Sequence, residues 1–217
     1  MIAASRVGAA FVLALSAGGA SAQQVPPDFT FRVEAVDQGY RPTESASVGQ
    51  TVGIGFAFVP GALGGTAPGS YLRMSAVVGQ WVFVGKSGLT AEAEKVAQPF
   101  KRSGDNDERT IEPPDTRIAR LSAFPTIKDR RVFIIDPITR EPLVMVYFDR
   151  PCRMEGIVRA TNGTVTRYDI SVTNPGLHWI AVERQSDKEF RWHNKFRWQD
   201  NVDIGLLLGI QSREKTD

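Results

Sequence analysis

Two histidines, one cysteine, a Gly-Lys-Ser triplet and a run of alternating aromatic and basic residues are the parts of this 217-residue chain that could do chemistry. A metal centre would draw on His178 and His193, because imidazole is a common ligand for transition metals. Neither has a second histidine at ligand spacing, so both are expected to be structural or exposed, and no metal site is assigned. Cys152, in FDRPCRMEG, would be a nucleophile only with a lowered pKa and a base, with Arg150, Arg153 and His178 as the available neighbours. Gly85-Lys86-Ser87 is similar to the end of a phosphate-binding loop. That motif needs a glycine five places before Gly85, where Gln80 stands, and the segment reads as a strand. No nucleophile elbow or other acid–base motif is visible, so no catalytic residue is assigned and no cofactor is implied.

The run FRWHNKFRW, Phe190 to Trp198, raises the question of a binding surface. As a strand it places Phe190, Trp192, Phe196 and Trp198 on one face as a core row, with Asn194 as the polar exception. Arg191, His193, Lys195 and Arg197 form the other face. Such a cationic strip ordinarily solvates or protects an edge, and here it is the candidate site for an acidic glycan, a lipid headgroup or a partner protein. Nucleic acid is excluded, since the aromatics that would stack on bases point the other way. A three-residue loop, Gln199-Asp200-Asn201, leads into VDIGLLLGI. It pairs Trp198 with Val202, Phe196 with Ile204, Asn194 with Leu206, Trp192 with Leu208 and Phe190 with Ile210.

Alternation of period two recurs along the chain and helical periodicity is almost absent. Strands are expected at 29–36, 51–59, 71–84, 132–135, 143–148, 153–161, 164–173 and 177–183, besides the two just described. In CRMEGIVRATNGTVTRYDISV, a two-residue turn at Asn162-Gly163 would mix the faces. A three-residue loop, Thr161-Asn162-Gly163, pairs Val158 with Thr166, Gly156 with Tyr168, Met154 with Ile170 and Cys152 with Val172. That register gathers an apolar face and leaves Arg153, Glu155, Arg159, Arg167, Asp169 and Ser171 on the other, so it is the expected one. It also buries Cys152 as an inert hydrophobe. One helix is expected over Thr90–Gln98, capped by Thr90. The stretch 61–70 reads as a flexible loop, and 101–116 (KRSGDNDERTIEPPDT) as a charged loop with too little apolar surface to order itself. The pattern implies an all-β fold, an antiparallel β-sandwich (immunoglobulin-like or related) of roughly ten strands with one short helix and a long charged loop. The tyrosine-corner and paired-cysteine hallmarks of antibody domains are not identifiable.

The chain opens with Arg6, an apolar run from Val7 to about Ala17, and Ala20-Ser21-Ala22. Residues 1–22 read as a secretory signal peptide cut after Ala22, which implies a periplasmic or extracellular location. No later segment reaches transmembrane length. Residues 23–217 are expected to form a single domain. The alternative is a small β unit at 28–100, a loop at 101–116 and a second β domain at 117–217. With 26 basic against 24 acidic residues there is no overall field to draw a polyanion. One cysteine cannot form an internal disulfide, so a hydrophobic core must hold the fold. These features point to an exported, non-catalytic module that binds a partner protein or an acidic cell-envelope component. Two other readings are a cell-envelope hydrolase using His178 or His193, and a small outer-membrane β-barrel. The apolar runs at 132–135 and 143–148 weigh against the barrel, because a barrel strand alternates.

Overall fold

A computed structural model describes residues 28–43, 49–60, 71–125, 130–194 and 206–212. The elements in chain order are β1 (Asp28–Ala35), β2 (Thr51–Pro60), β3 (Tyr71–Val77), β4 (Trp81–Gly85), α1 (Lys86–Val96), β5 (Gln98–Pro99), β6 (Thr110–Glu112), β7 (Arg117–Pro125), β8 (Arg130–Ile135), β9 (Pro142–Phe148), β10 (Cys152–Arg159), β11 (Val165–Val172), β12 (Gly176–Arg184), β13 (Glu189–His193) and β14 (Leu206–Ser212). The fold is thus mostly β with one short helix. Among the described residues all the strands belong to one sheet, whose spine runs β4-β1-β14-β8-β9-β12-β13-β11-β10-β6. The sheet is mixed, not purely antiparallel, because β1 pairs parallel with β14 and β11 parallel with β13. Both pairs join strands that are not consecutive, as parallel pairing requires. Among the described residues no helix is long and apolar enough to cross a membrane.

The sheet forks at β9. On one edge, Pro142 and Leu143 pair with β8, and Met145 to Phe148 pair with β7, which carries β2, β3 and β5 away from the spine. The other edge of β9 pairs with β12 along its length. The two wings meet again at the turn between β3 and β4. There Val78 exchanges backbone hydrogen bonds with the Gly49–Gln50 turn, and Gly79 and Gln80 bond Val33. Both faces of β9 and β12 are therefore covered, which is why PLVMVYF carries no charged side chain. Leu143, Met145 and Tyr147, with Leu177, Trp179 and Ala181, face one core; Val146, Phe148 and Ile180 face another. Burying side chains of this size contributes roughly 1.5–3 kcal/mol each.

Helix α1 closes the first core with Leu89 and Ala93, joined by Ala97 just past its end, spaced so that they share one face. It begins a turn before the expected Thr90–Gln98, directly where β4 ends, so Thr90 lies inside it rather than at its cap. The segment expected as one strand at 71–84 is two, broken at Gly79 with φ of 93°. Strand β7 has no counterpart in the sequence reading.

The β10–β11 hairpin has the expected register, from Cys152↔Val172 to Arg159↔Val165. Gly163, at φ of 83°, closes the three-residue loop, and its N–H donates to Ala160 O at 2.9 Å. The 190–210 hairpin is not formed. Strand β13 lies between β11 and β12, so Trp192 pairs with Tyr168 and Val182, and Phe190 with Thr166 and Arg184. Strand β14 instead lies between β1 and β8, where Leu208 pairs with Val33 and Ile134. Alternation shows which residues share a face but not which strand lies alongside. The expected Gln199-Asp200-Asn201 loop, the 61–70 loop and the leader at 1–22 lie outside the described residues.

The charged segment 101–116 is ordered, against expectation. Strand β6 pairs with β10, Glu108 N–H donates to Ile157 O at 2.9 Å, and Ile111 and Thr116 are buried. One of its ion pairs, Asp107 with Arg109, is buried within the fold, and most of its other charged residues stay exposed.

Candidate functional site

The fork leaves an opening where β7 and β8 part company. A cleft of about 290 Å³ lies there, lined by Arg120, Leu121 and Ser122 of β7, Val132 to Ile134 of β8, Pro142 to Val144 of β9, Val182 and Arg184 of β12, Phe190 and Trp192 of β13, and Tyr40. Most of this wall is apolar or aromatic. None of these lining residues is acidic and two are arginines.

Arg120 sits on β7 opposite Val146, on the same side of the strand as Ile118 of the second core. Its Nη2 donates to Ser122 Oγ at 3.3 Å, and its buried Nε meets no acceptor among the described residues. Burial lowers its pKa, the nearby Arg109 lowers it further, and Tyr168 opposes the shift. A buried guanidinium without a carboxylate is costly, and an anion is its natural complement. Arg184, near Phe190, is already engaged: its Nη2 meets the exposed Asp187 at 2.8 Å.

Behind the cleft a row of paired residues crosses four strands, Val182–Trp192–Tyr168–Gly156. The Trp192 and Tyr168 rings are 5.2 Å apart and tilted by 44°. Gly156 ends the row with φ of 118°, and a Cβ there would lie 2.5 Å from Glu108 O. Only glycine lets the 107–109 segment pack so closely. That approach carries the Arg109 guanidinium over Tyr168, 4.8 Å from its centroid, and over Phe100 at 5.1 Å. Asp107 receives Arg109 Nε at 2.7 Å and Nη2 at 2.5 Å, besides the Ser103 N–H at 2.7 Å. Burial alone would raise the Asp107 carboxyl; the bonds from Arg109 and Ser103 outweigh it and hold the pKa at about 2. Tyr168 is raised by burial, with Arg109 and then Arg120 pulling the other way.

The expected strip is divided. Arg191 is half-buried and pairs with Asp169 at 2.6 Å, and His193 is 3% exposed with Nε2 3.5 Å from Glu183. Lys195 and Arg197 lie outside the described residues. Trp192 is buried as expected, but so is His193, since β13 is covered on both faces. Asn194 is also buried, and its Nδ2 donates to Ser171 O at 2.8 Å.

The two histidines are not brought together. His178 faces Phe148 in the second core and meets Asn174 O at 2.8 Å through Nε2, whereas His193 pairs with Ala181, which faces the first. Their side chains leave the sheet on opposite faces. The His193–Glu183 pair likewise points away from the cleft, which takes Val182, Arg184, Phe190 and Trp192 from the alternate positions. Among the described residues no cluster of three or more metal-binding side chains occurs. Cys152 is buried, and its thiol is pushed up to about 12 by burial and then by Asp149.

Arg109, Arg120 and Tyr168 did not emerge from the sequence as site residues. The one signal was Arg120 itself, a lone cation inside the run from Ile118 to Phe124. Comparison with known family models, curated proteins and solved structures returns no match.

Proposed function

We propose that the protein is an exported, non-catalytic β module that recognises an acidic component of the cell envelope through the cleft at the β9 fork. Arg120 is the observation that carries this reading: an arginine with an unpartnered buried Nε lines an apolar, aromatic cleft that has no acid among its lining residues. Export rests on the leader read at residues 1–22. The two cores on opposite faces of the β9–β12 wall support the reading of the module as sandwich-like.

The test is retention of acidic lipid and glycan fractions from envelope extract on immobilised protein. Wild type should retain an acidic component that Arg120→Gln loses. Arg153→Gln, which changes an exposed arginine on the outer face of the β10–β11 hairpin, should retain it. Equal retention by wild type and Arg120→Gln would overturn the proposal.

A further inference from the structure

The charges around Tyr168 do not balance. Arg109 and Arg120 both act on it, and among the described residues a single buried carboxylate, Asp107, acts with them. Asp107 is bound on both oxygens by Arg109, whose side chain is 2% exposed. Among the described residues Arg120 is left as one uncompensated positive charge, its Nη2 donating to Ser122 Oγ and its Nε–H without an acceptor. One guanidinium fork matches one planar monoanion, since both N–H directions can be used at once. At about 290 Å³ the cleft falls just below the range for drug-sized ligand sites, roughly 300–1,000 Å³, which favours a small ligand. The part of its wall formed by Leu143, Val144 and Val182 is aliphatic and suits a hydrocarbon surface.

We infer that the cleft binds a short amphiphile with a single carboxylate, its head on Arg120 and its hydrocarbon body on the β8–β9–β12 wall. This rests on the proposed function above and narrows it: a polymer or a long-chain lipid could enter only by such an end. A phosphate dianion would call for a second buried cation, and the other arginine of the lining, Arg184, is half-exposed and bonded to Asp187.

The experiment titrates the full chain with octanoate, octanol, acetate and octyl phosphate, by calorimetry and by tryptophan fluorescence, since Trp192 lines the cleft. Octanoate should bind wild type, and each of the other three should bind about tenfold or more weakly, as loss of a charge-assisted bond or of apolar contact implies. Arg120→Gln should weaken octanoate by a similar factor, and Arg120→Lys by less. If Arg120→Gln fails to fold by circular dichroism, Val144→Phe, which fills the cleft and keeps the charge, should abolish octanoate binding. Octanol bound as tightly as octanoate, octyl phosphate bound more tightly, or octanoate binding that survives both variants would each overturn the inference. Should octanoate fail while envelope capture still depends on Arg120, the ligand class falls and the function stands. If capture is also indifferent to Arg120, both fall.

Discussion

Replacing Asp107 with asparagine tests how the fold holds its buried cations. Asp107 and Arg109 are 3% and 2% exposed, and the carboxylate receives Nε and Nη2 at 2.7 and 2.5 Å. Asparagine keeps the shape and removes the charge, leaving Arg109 uncompensated between two aromatic rings and near Arg120. Breaking a buried pair from one side costs about 3–5 kcal/mol, a large share of the roughly 5–15 kcal/mol that holds a typical domain together. The pair also has a pH signature. The folded carboxyl is held at about 2 against an ordinary 3.8, so its contribution is complete above the unfolded value and is lost as pH falls towards 2. A shift of that size corresponds to about 2 kcal/mol. Urea unfolding followed by fluorescence should therefore show Asp107→Asn destabilised by about 3–5 kcal/mol at neutral pH, with a shallower loss than wild type from about pH 4 to about pH 2. The double change Asp107→Asn with Arg109→Met removes the orphaned charge and should recover part of the loss. A single variant within about 1 kcal/mol of wild type, or one with an unchanged acid slope, would refute the reasoning, because an exposed pair behaves that way.

Gly156→Ala should cost more than about 2 kcal/mol, since it combines an unfavourable positive φ with a Cβ that would lie 2.5 Å from Glu108 O; amide exchange should rise first in residues 104–112. Cys152, with its thiol pushed up to about 12, should resist thiol reagents at mildly alkaline pH until denaturant is added, and rapid native labelling would show that the β10–β11 apolar face is open. Protein recovered from its native compartment should begin at Gln23 by N-terminal sequencing; an intact Met1 on exported material would contradict cleavage after Ala22.

The readable parts of the sequence were those whose physics is local. The β10–β11 register follows from period-two alternation together with Gly163, and the structure has that register residue for residue. The apolar run 143–148 announced a strand covered on both faces, and β9 is one. Strand β7 was illegible because both its faces are covered, Ile118 and Arg120 on one and Ala119 and Leu121 on the other, so RIARLSAFP shows no polar–apolar alternation. FRWHNKFRW placed Trp192 in a core but assigned it the wrong neighbours, since strand pairing across the whole sheet leaves no mark in one segment. Residues 101–116 looked too charged to order, yet Asp107 and Arg109 pair in the interior and the backbone around them rests on Gly156. The cleft itself is a property of the fork, where residues from β7, β8, β9, β12 and β13 converge. No window on the sequence contains it.

The central claim is that Arg120 holds an anion in this cleft, and the most direct measurement follows its own Nε–H by nitrogen-15 NMR while octanoate is added. The signal, assigned by its loss in Arg120→Lys, should shift and exchange more slowly with water on binding, as the hydrogen bond it lacks is completed. Saturable octanoate binding that leaves the Arg120 Nε–H signal unmoved would contradict the account.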